Sequence, residues 1–242
     1  MFSRGGCDII LKMRNKARLG LLIFTVSGLI QALGPEEVAL RVEAKLRSID
    51  SLQANFEQTH FSVSATTPLQ EKGRFYFLKP ESMRWDYLSP EKFTYLYTGG
   101  LLQAYFPEDN QLYRTRSYKD QFETEILSIL TGEAALTESY QVEFTRFPSA
   151  SASVWQLKLV PRKEGEISYF LLEIDQKSFL IQRAISLDRG GNKQEFRFSQ
   201  IKPGARLEPG LFELKVPADC EIIEGEPERE NKTNSGPHRI YS

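Results

Sequence analysis

Cysteine and histidine are nearly missing from this chain of 242 residues, which holds only Cys7, Cys220, His60 and His238. Cys7 lies ahead of an N-terminal apolar run, so a chain processed after that run keeps one cysteine and forms no internal disulfide. Its folding has to rest on packing, even in an oxidising compartment. No H-x-x-H or C-x-x-C occurs, and no G-x-S-x-G or glycine-rich phosphate loop. These gaps exclude the common zinc, dithiol, hydrolase and nucleotide signatures, and neither a metal nor a cofactor is expected. A Cys220–His238 pair would draw its base from a polar tail, so Cys220 reads instead as a small buried hydrophobe in the last strand. Carboxylates are plentiful, but no pair stands out as a general acid and base. The chain is read as a non-enzyme. A basic excess is lacking too: 31 Lys and Arg face 32 Asp and Glu. The first 33 residues hold five of the bases (Arg4, Lys12, Arg14, Lys16, Arg18) and one acid (Asp8), leaving 26 against 31, a net of −5. No nucleic-acid surface is expected from such a balance.

Aromatics, by contrast, are abundant, with 16 Phe and 10 Tyr in a chain that is 40% hydrophobic and 26% charged. That suits one large β domain, and two domains are not required. The basic lead-in KMRNKAR (residues 12–18) followed by LGLLIFTVSGLIQAL (19–33) has the pattern of a secretory signal peptide. The run is short for a membrane span of ~20 residues. An uncleaved anchor is the alternative, and Met13 is an alternative start. No cysteine follows the run at once, so the protein is not expected to be lipidated itself. The reading is residues 1–33 signal peptide, 34–223 folded domain and 224–242 a disordered tail poor in apolar residues, with the mature chain in the periplasm.

Pro35 to Ile49 predicts a helix: proline and two glutamates open it, and Val38, Val42, Leu46 and Ile49 form one stripe. Strands follow near 52–60, 72–79, 82–88, 93–98, 101–106, 111–116, 140–147, 154–161, 167–175, 180–188 and 193–202, about ten if one of these is broken. Short links predict antiparallel meander pairing and exclude βαβ units. Gly99-Gly100 between FTYLYT and LLQAYF is a two-residue hairpin signal. One helix interrupts the meander. Asp120 and Glu123 form a capping-box pattern, Phe122, Ile126, Ile129 and Leu130 follow at helical spacing, and Thr131-Gly132 stops it.

The stretch RFYFLKPESMRWDY (74–87) poses the functional question. Phe75 and Phe77 point one way and Tyr76 and Leu78 the other, so this strand has no polar face. An antiparallel sheet with one face in water should alternate. The Arg84-Trp85-Asp86 triplet reads as a strand with its Trp inward and its charges outward. The stretch resembles the periplasmic outer-membrane lipoprotein carrier family of LolA type. That family's pattern is a Gly, an aromatic-rich strand, a basic residue plus Pro, then a strand with an aromatic near Trp. These fall on Gly73, Phe75 to Leu78, Lys79-Pro80 and Met83-Arg84-Trp85. In order, LQANFEQTHFS (52–62) is similar to the family's opening strand, YLYTGGLLQAYFPEDNQLY (95–113) to its hairpin, ILSILTGE (126–133) to its lid helix and LFELKVPADCEII (211–223) to its closing segment. The resemblance spans roughly residues 36 to 223.

The resemblance implies an α+β protein that is mainly β: an unclosed antiparallel β-barrel with an α-helical lid over an apolar cavity. Helices 36–49 and 121–131 would form the lid, and the outer face of the sheet would need little cover. The plainer alternative is a two-layer sandwich with both strand faces in the core. It further implies a lipid-binding cavity formed by Phe75, Phe77, Met83, Trp85, Tyr95, Phe122, Ile126 and Leu130. Met83 stands where the family often has Phe. The basic residue before the proline latches the lid in the empty state; it is usually Arg, and here Lys79-Pro80 takes that place without the planar fork. The implied partners are acylated lipoproteins as cargo, an inner-membrane lipoprotein-releasing ABC transporter and an outer-membrane acceptor, with the carrier a monomer. A related half-barrel that binds or senses lipid or glycolipid in the envelope is the alternative function.

Overall fold

In a computed structural model the described residues are 33–116, 125–149 and 151–224. The signal segment, the capping box at Asp120 to Glu123, Phe122 and the tail beyond Glu224 lie outside them. Helix α1 (Pro35–Arg47) forms as its pattern predicts, with Val38, Val42 and Leu46, and Ile49 just beyond, all buried. Acidic Glu36 and Glu37 open it and basic Lys45 and Arg47 close it, matching the helix dipole.

Eleven strands follow the predicted ranges, and none is broken: β1 (Ser51–Phe61), β2 (Leu69–Leu78), β3 (Ser82–Ser89), β4 (Phe93–Thr98), β5 (Leu101–Phe106), β6 (Gln111–Arg116), β7 (Tyr140–Phe144), β8 (Val154–Pro161), β9 (Ile167–Asp175), β10 (Ile181–Asp188) and β11 (Lys193–Pro203). A twelfth, β12 (Glu221–Glu224), lies beyond these ranges, one residue after the Cys220 that the sequence placed in a last strand. All lie in one sheet of order β12-β6-β5-β4-β3-β2-β1-β11-β10-β9-β8-β7. Its edges, β12 and β7, do not pair, so the barrel is unclosed. Every pairing is antiparallel except β12 on β6. The β4–β5 hairpin turns at Gly99 and Gly100 with φ of 55° and 78°, the left-handed values that a tight two-residue turn requires.

Between β6 and β7 come α2 (Glu125–Thr131) and α3 (Leu136–Ser139); the second of these is too short for its period to show in sequence. Ile126, Ile129 and Leu136 join Val38, Val42 and Leu46 of α1 in one core with the inward side chains of the sheet. The sheet therefore faces its helices with one side only.

The other side is not bare, contrary to expectation. Tyr76, Leu96 and Leu112 point outward, opposite in parity to Phe77, Tyr95 and Tyr113, yet they are buried. The segment after β11 crosses this convex face. Ser51 Oγ holds the Ala205 carbonyl at 2.9 Å, Arg84 donates to the Leu211 carbonyl at 2.7 Å and Asn110 donates to the Asp219 carbonyl at 3.1 Å. A 3-10 turn (Pro209–Phe212) lies against β3, and the segment ends as β12 on the edge strand β6. This strap answers part of the question posed by RFYF: Tyr76 is buried on the outward face of β2, paired with the Arg84 that holds the strap, whereas Leu78 on the same face stays 37% exposed. Cys220 sits one residue before β12 and is half-buried, with its thiol donating to the Glu221 carbonyl. It is not the strand-core hydrophobe that the sequence suggested, because the strand begins after it and forms an exposed edge.

A second cover lies over β8 to β11. Arg183 is buried between Glu195, with Nε to Oε1 at 2.9 Å and Nη2 to Oε2 at 3.0 Å, and Glu173 at 3.3 Å. It also donates to the Pro148 carbonyl at 2.7 Å and lies over the Phe147 ring. Gln156 fixes the same loop through the Phe147 N–H and carbonyl. A bidentate Arg–carboxylate pair of this kind satisfies both buried charges.

Candidate functional site

The inward face of β1 to β5 is a continuous floor of rings. Strand alternation puts Phe75 and Phe77 of β2, Met83, Trp85 and Tyr87 of β3 and Phe93, Tyr95 and Tyr97 of β4 on one side, and register sets Phe75 beside Trp85 and Trp85 beside Tyr95. Ring centroids lie 4.3 Å apart for Phe75–Trp85, 4.9 Å for Phe56–Trp85 and 4.2 Å for the stacked Tyr87–Phe93 pair. Phe196 extends the floor to β11, 5.6 Å from Trp85. Gly73 interrupts the ring pattern for a reason: a side chain there would meet the Asp86 carbonyl at 2.1 Å and the Phe56 ring at 2.6 Å.

Of the residues named from sequence, Phe75, Phe77, Met83, Trp85, Tyr95 and Ile126 come together in this one cluster, and half-buried Leu130 packs against it. Phe122 lies outside the described residues. Phe56, Phe93, Phe106 and Phe196 share the same face and were missed, although the alternation of Ala54, Phe56 and Gln58 in β1 carries the signal. The rings are packed on one another and on the helices rather than spread around an open hollow; Trp85 is 1% and Phe77 6% exposed. Rings packed in this way bury a large area each with few rotamers to freeze.

Lys79 follows β2 directly. Its ammonium donates to the carbonyl of Arg47, the last residue of α1, and its N–H bonds the Asp50 carbonyl at 2.8 Å. Asp50 also offers a carboxylate at 3.8 Å, but that side chain is 90% exposed. A cation on a helix's final carbonyl satisfies an orphan acceptor and complements the dipole. The contact is thus with α1 and not with the helix at 125–131. A relay connects the two: Arg47 Nε donates to the Gly132 carbonyl at 3.4 Å and Arg47 pairs with Glu43 at 3.4 Å. Buried Glu43 in turn accepts from the Thr137 N–H at 3.1 Å. Gly132, at φ 77°, lets α2 end directly on Leu46.

The floor ends in a polar group. Tyr87 donates to Gln58 Oε1 at 2.7 Å, Gln58 bonds His60, and Glu71 lies 3.7 Å from His60. Burial first, then the Glu71 carboxylate and Tyr95, pushes the Tyr87 phenol well above its ordinary value, so it stays a neutral donor.

Residues 47–215, well over half of the chain, match the family described as Outer membrane lipoprotein carrier protein LolA. An outer-membrane lipoprotein carrier protein of Methylococcus capsulatus is 28% identical over 185 residues, 76% of this chain and 86% of that one. One from Coxiella burnetii is 25% identical over 208 residues, 85% of this chain and 94% of the other. Among solved structures, an uncharacterized conserved protein from Thermus thermophilus covers 78% of this chain and 98% of its own at 18% identity and a TM-score of 0.51, a likeness of fold. With the family's segments matched in order across an unclosed sheet lidded by helices, the chain belongs to the outer membrane lipoprotein carrier protein LolA family.

Proposed function

We propose that this protein shields the acyl chains of lipoproteins in the space between its aromatic floor and its helices, and carries them through the periplasm from the inner to the outer membrane. The observation that carries the reading is the ring floor facing a helical layer held down by a few polar ties. Each methylene taken from a bilayer into water costs ~0.8 kcal/mol, so several long chains cost on the order of tens of kcal/mol. A carrier must replace that burial and still release its cargo. Parting rings that pack on one another gives up burial, and acyl chains entering between them restore it. Neither state then wins by a wide margin, as delivery requires. Phe75, Phe77, Met83, Trp85, Tyr95, Ile126 and Leu130 would contact the chains, and Lys79 would hold α1 in the empty state. An inner-membrane ABC transporter would load the carrier and an outer-membrane acceptor would unload it, with no chemical step on the way.

The test is mass spectrometry of what co-purifies with the protein from the periplasm. Acylated lipoproteins are expected. Recovery of free glycolipid alone, or of no lipid-bearing species, would overturn the reading.

A further inference from the structure

Gln194 is 5% exposed on the inward face of β11, and its Nε2 has no acceptor among the described residues. Register places it opposite His60 of β1, and Phe196, two residues on, belongs to the ring floor. A buried amide donor left without an acceptor is costly and calls for an explanation. Its neighbours do not relieve it: Gln58 is turned to Tyr87 and His60, and neither it nor Ser186, opposite on β10, bonds the Gln194 amide nitrogen. The Gln58, His60 and Glu71 side chains thus make a fixed polar end to an otherwise apolar floor, with one donor to spare.

We propose that Gln194 binds the carbonyl oxygen of an acyl linkage, an ester or amide, so that the ligand's polar end lies beside His60 and its chain runs over Phe196, Trp85 and Phe75. The class of ligand follows from the chemistry. An N–H donor seeks an acceptor, and on an acyl ligand the strong acceptor next to the methylenes is the carbonyl where the chain is joined. A polar end and an apolar floor then set the direction in which a chain enters. This rests on the carrier reading and adds an orientation to it. A second donor on the floor, Trp85 Nε1, is also buried without an acceptor among the described residues, but Phe56, Phe75 and Phe196 surround that ring, and they offer only weak π acceptors. That position suits methylenes.

The experiment compares two soluble lipids of equal chain length: a monoacyl glycerophosphocholine and its ether-linked analogue, which lacks the carbonyl. Binding is measured by displacement of a fluorescent acyl probe from the intact protein. The parent should prefer the ester by about three- to tenfold, the range expected of one neutral hydrogen bond. Gln194→Met, matched in length and without a donor, should lose that preference and keep its affinity for the ether, while Trp85→Phe should keep the preference. With a 13C-labelled ester, the carbonyl stretch should lie lower when bound to the parent than to Gln194→Met. That infrared reading needs only folded protein at saturation, whatever the affinities. A parent that binds both lipids equally, a preference that survives Gln194→Met, or one lost only in Trp85→Phe overturns the assignment. If the parent binds neither lipid, the assignment is overturned as well, while the carrier reading is decided separately by the lipoproteins that co-purify.

Discussion

Replacing Lys79 by Leu removes the tie between the sheet and α1 without disturbing the floor. The lost contact is a hydrogen bond from an ammonium to the Arg47 carbonyl. Bonds to a charged group contribute about 1.5–3 kcal/mol, and the lower end applies here because the Lys79 side chain is 33% exposed. Asp50, itself 90% exposed at 3.8 Å, adds little. The bond is present in the closed form; on the proposed carrier reading α1 lifts over a cargo and the bond is lost. Removing it therefore favours the loaded state by about 1.5 kcal/mol, which shifts the unloading equilibrium roughly tenfold toward that state. Lys79→Leu should still take lipoprotein from inner-membrane vesicles, since burial of the chains supplies the affinity, but should transfer it poorly to outer-membrane vesicles. Lys79→Arg restores a cation on the same carbonyl and should deliver at least as well as the parent. If Lys79→Leu delivers in the second step as fast as the parent, the Arg47 contact is only a helix cap and the latch reasoning is refuted.

Three other outcomes are expected. Phe77→Glu places a charge in the ring floor at a cost of several kcal/mol unless it is neutralised; release of lipoprotein from membranes should collapse while circular dichroism stays β-rich, and unchanged release would remove Phe77 from the binding face. Gly132→Ala sets a methyl 2.7 Å from Leu46 Cβ at a left-handed φ of 77° and should lower stability by about 1–3 kcal/mol; an unshifted denaturant midpoint would contradict the tight α1–α2 approach. Burial raises the Glu195 carboxyl, but Arg183, Arg197 and Lys193 outweigh it and hold it below the ordinary glutamate value, so its contribution is full above that value and is lost as pH falls through the lower folded one; acid unfolding should be steeper for the parent than for Glu195→Gln, and equal slopes would show that the cluster does not stabilise the fold.

The strands were legible because their side chains alternate and their turns carry Gly and Pro signals, so even the Gly99-Gly100 hairpin could be placed. The helix α1 was legible from its stripe and its end charges. Three features were not. The strap after β11 has little periodicity, and its bonds reach strands more than a hundred residues away, as from Arg84 to Leu211. Which of the two lid helices Lys79 meets was not legible, because sequence shows that a cation follows β2 but not which carbonyl the chain returns to it. Gln194 carries no motif at all. Only register shows that it shares a face with Phe196 and sits opposite His60.

The strap has a mechanical consequence. It is fastened at β1 through Ala205, at β3 through Leu211 and at β6 through β12, always on the outside of the curve. A tie along the outside of an arch goes slack when the arch flattens and tightens when the arch curls. The strap thus leaves the stretch β1 to β6 room to flatten but sets a stop against further curling. The same segment ends by pairing with the exposed backbone of β6, so the stop is anchored in the sheet it restrains.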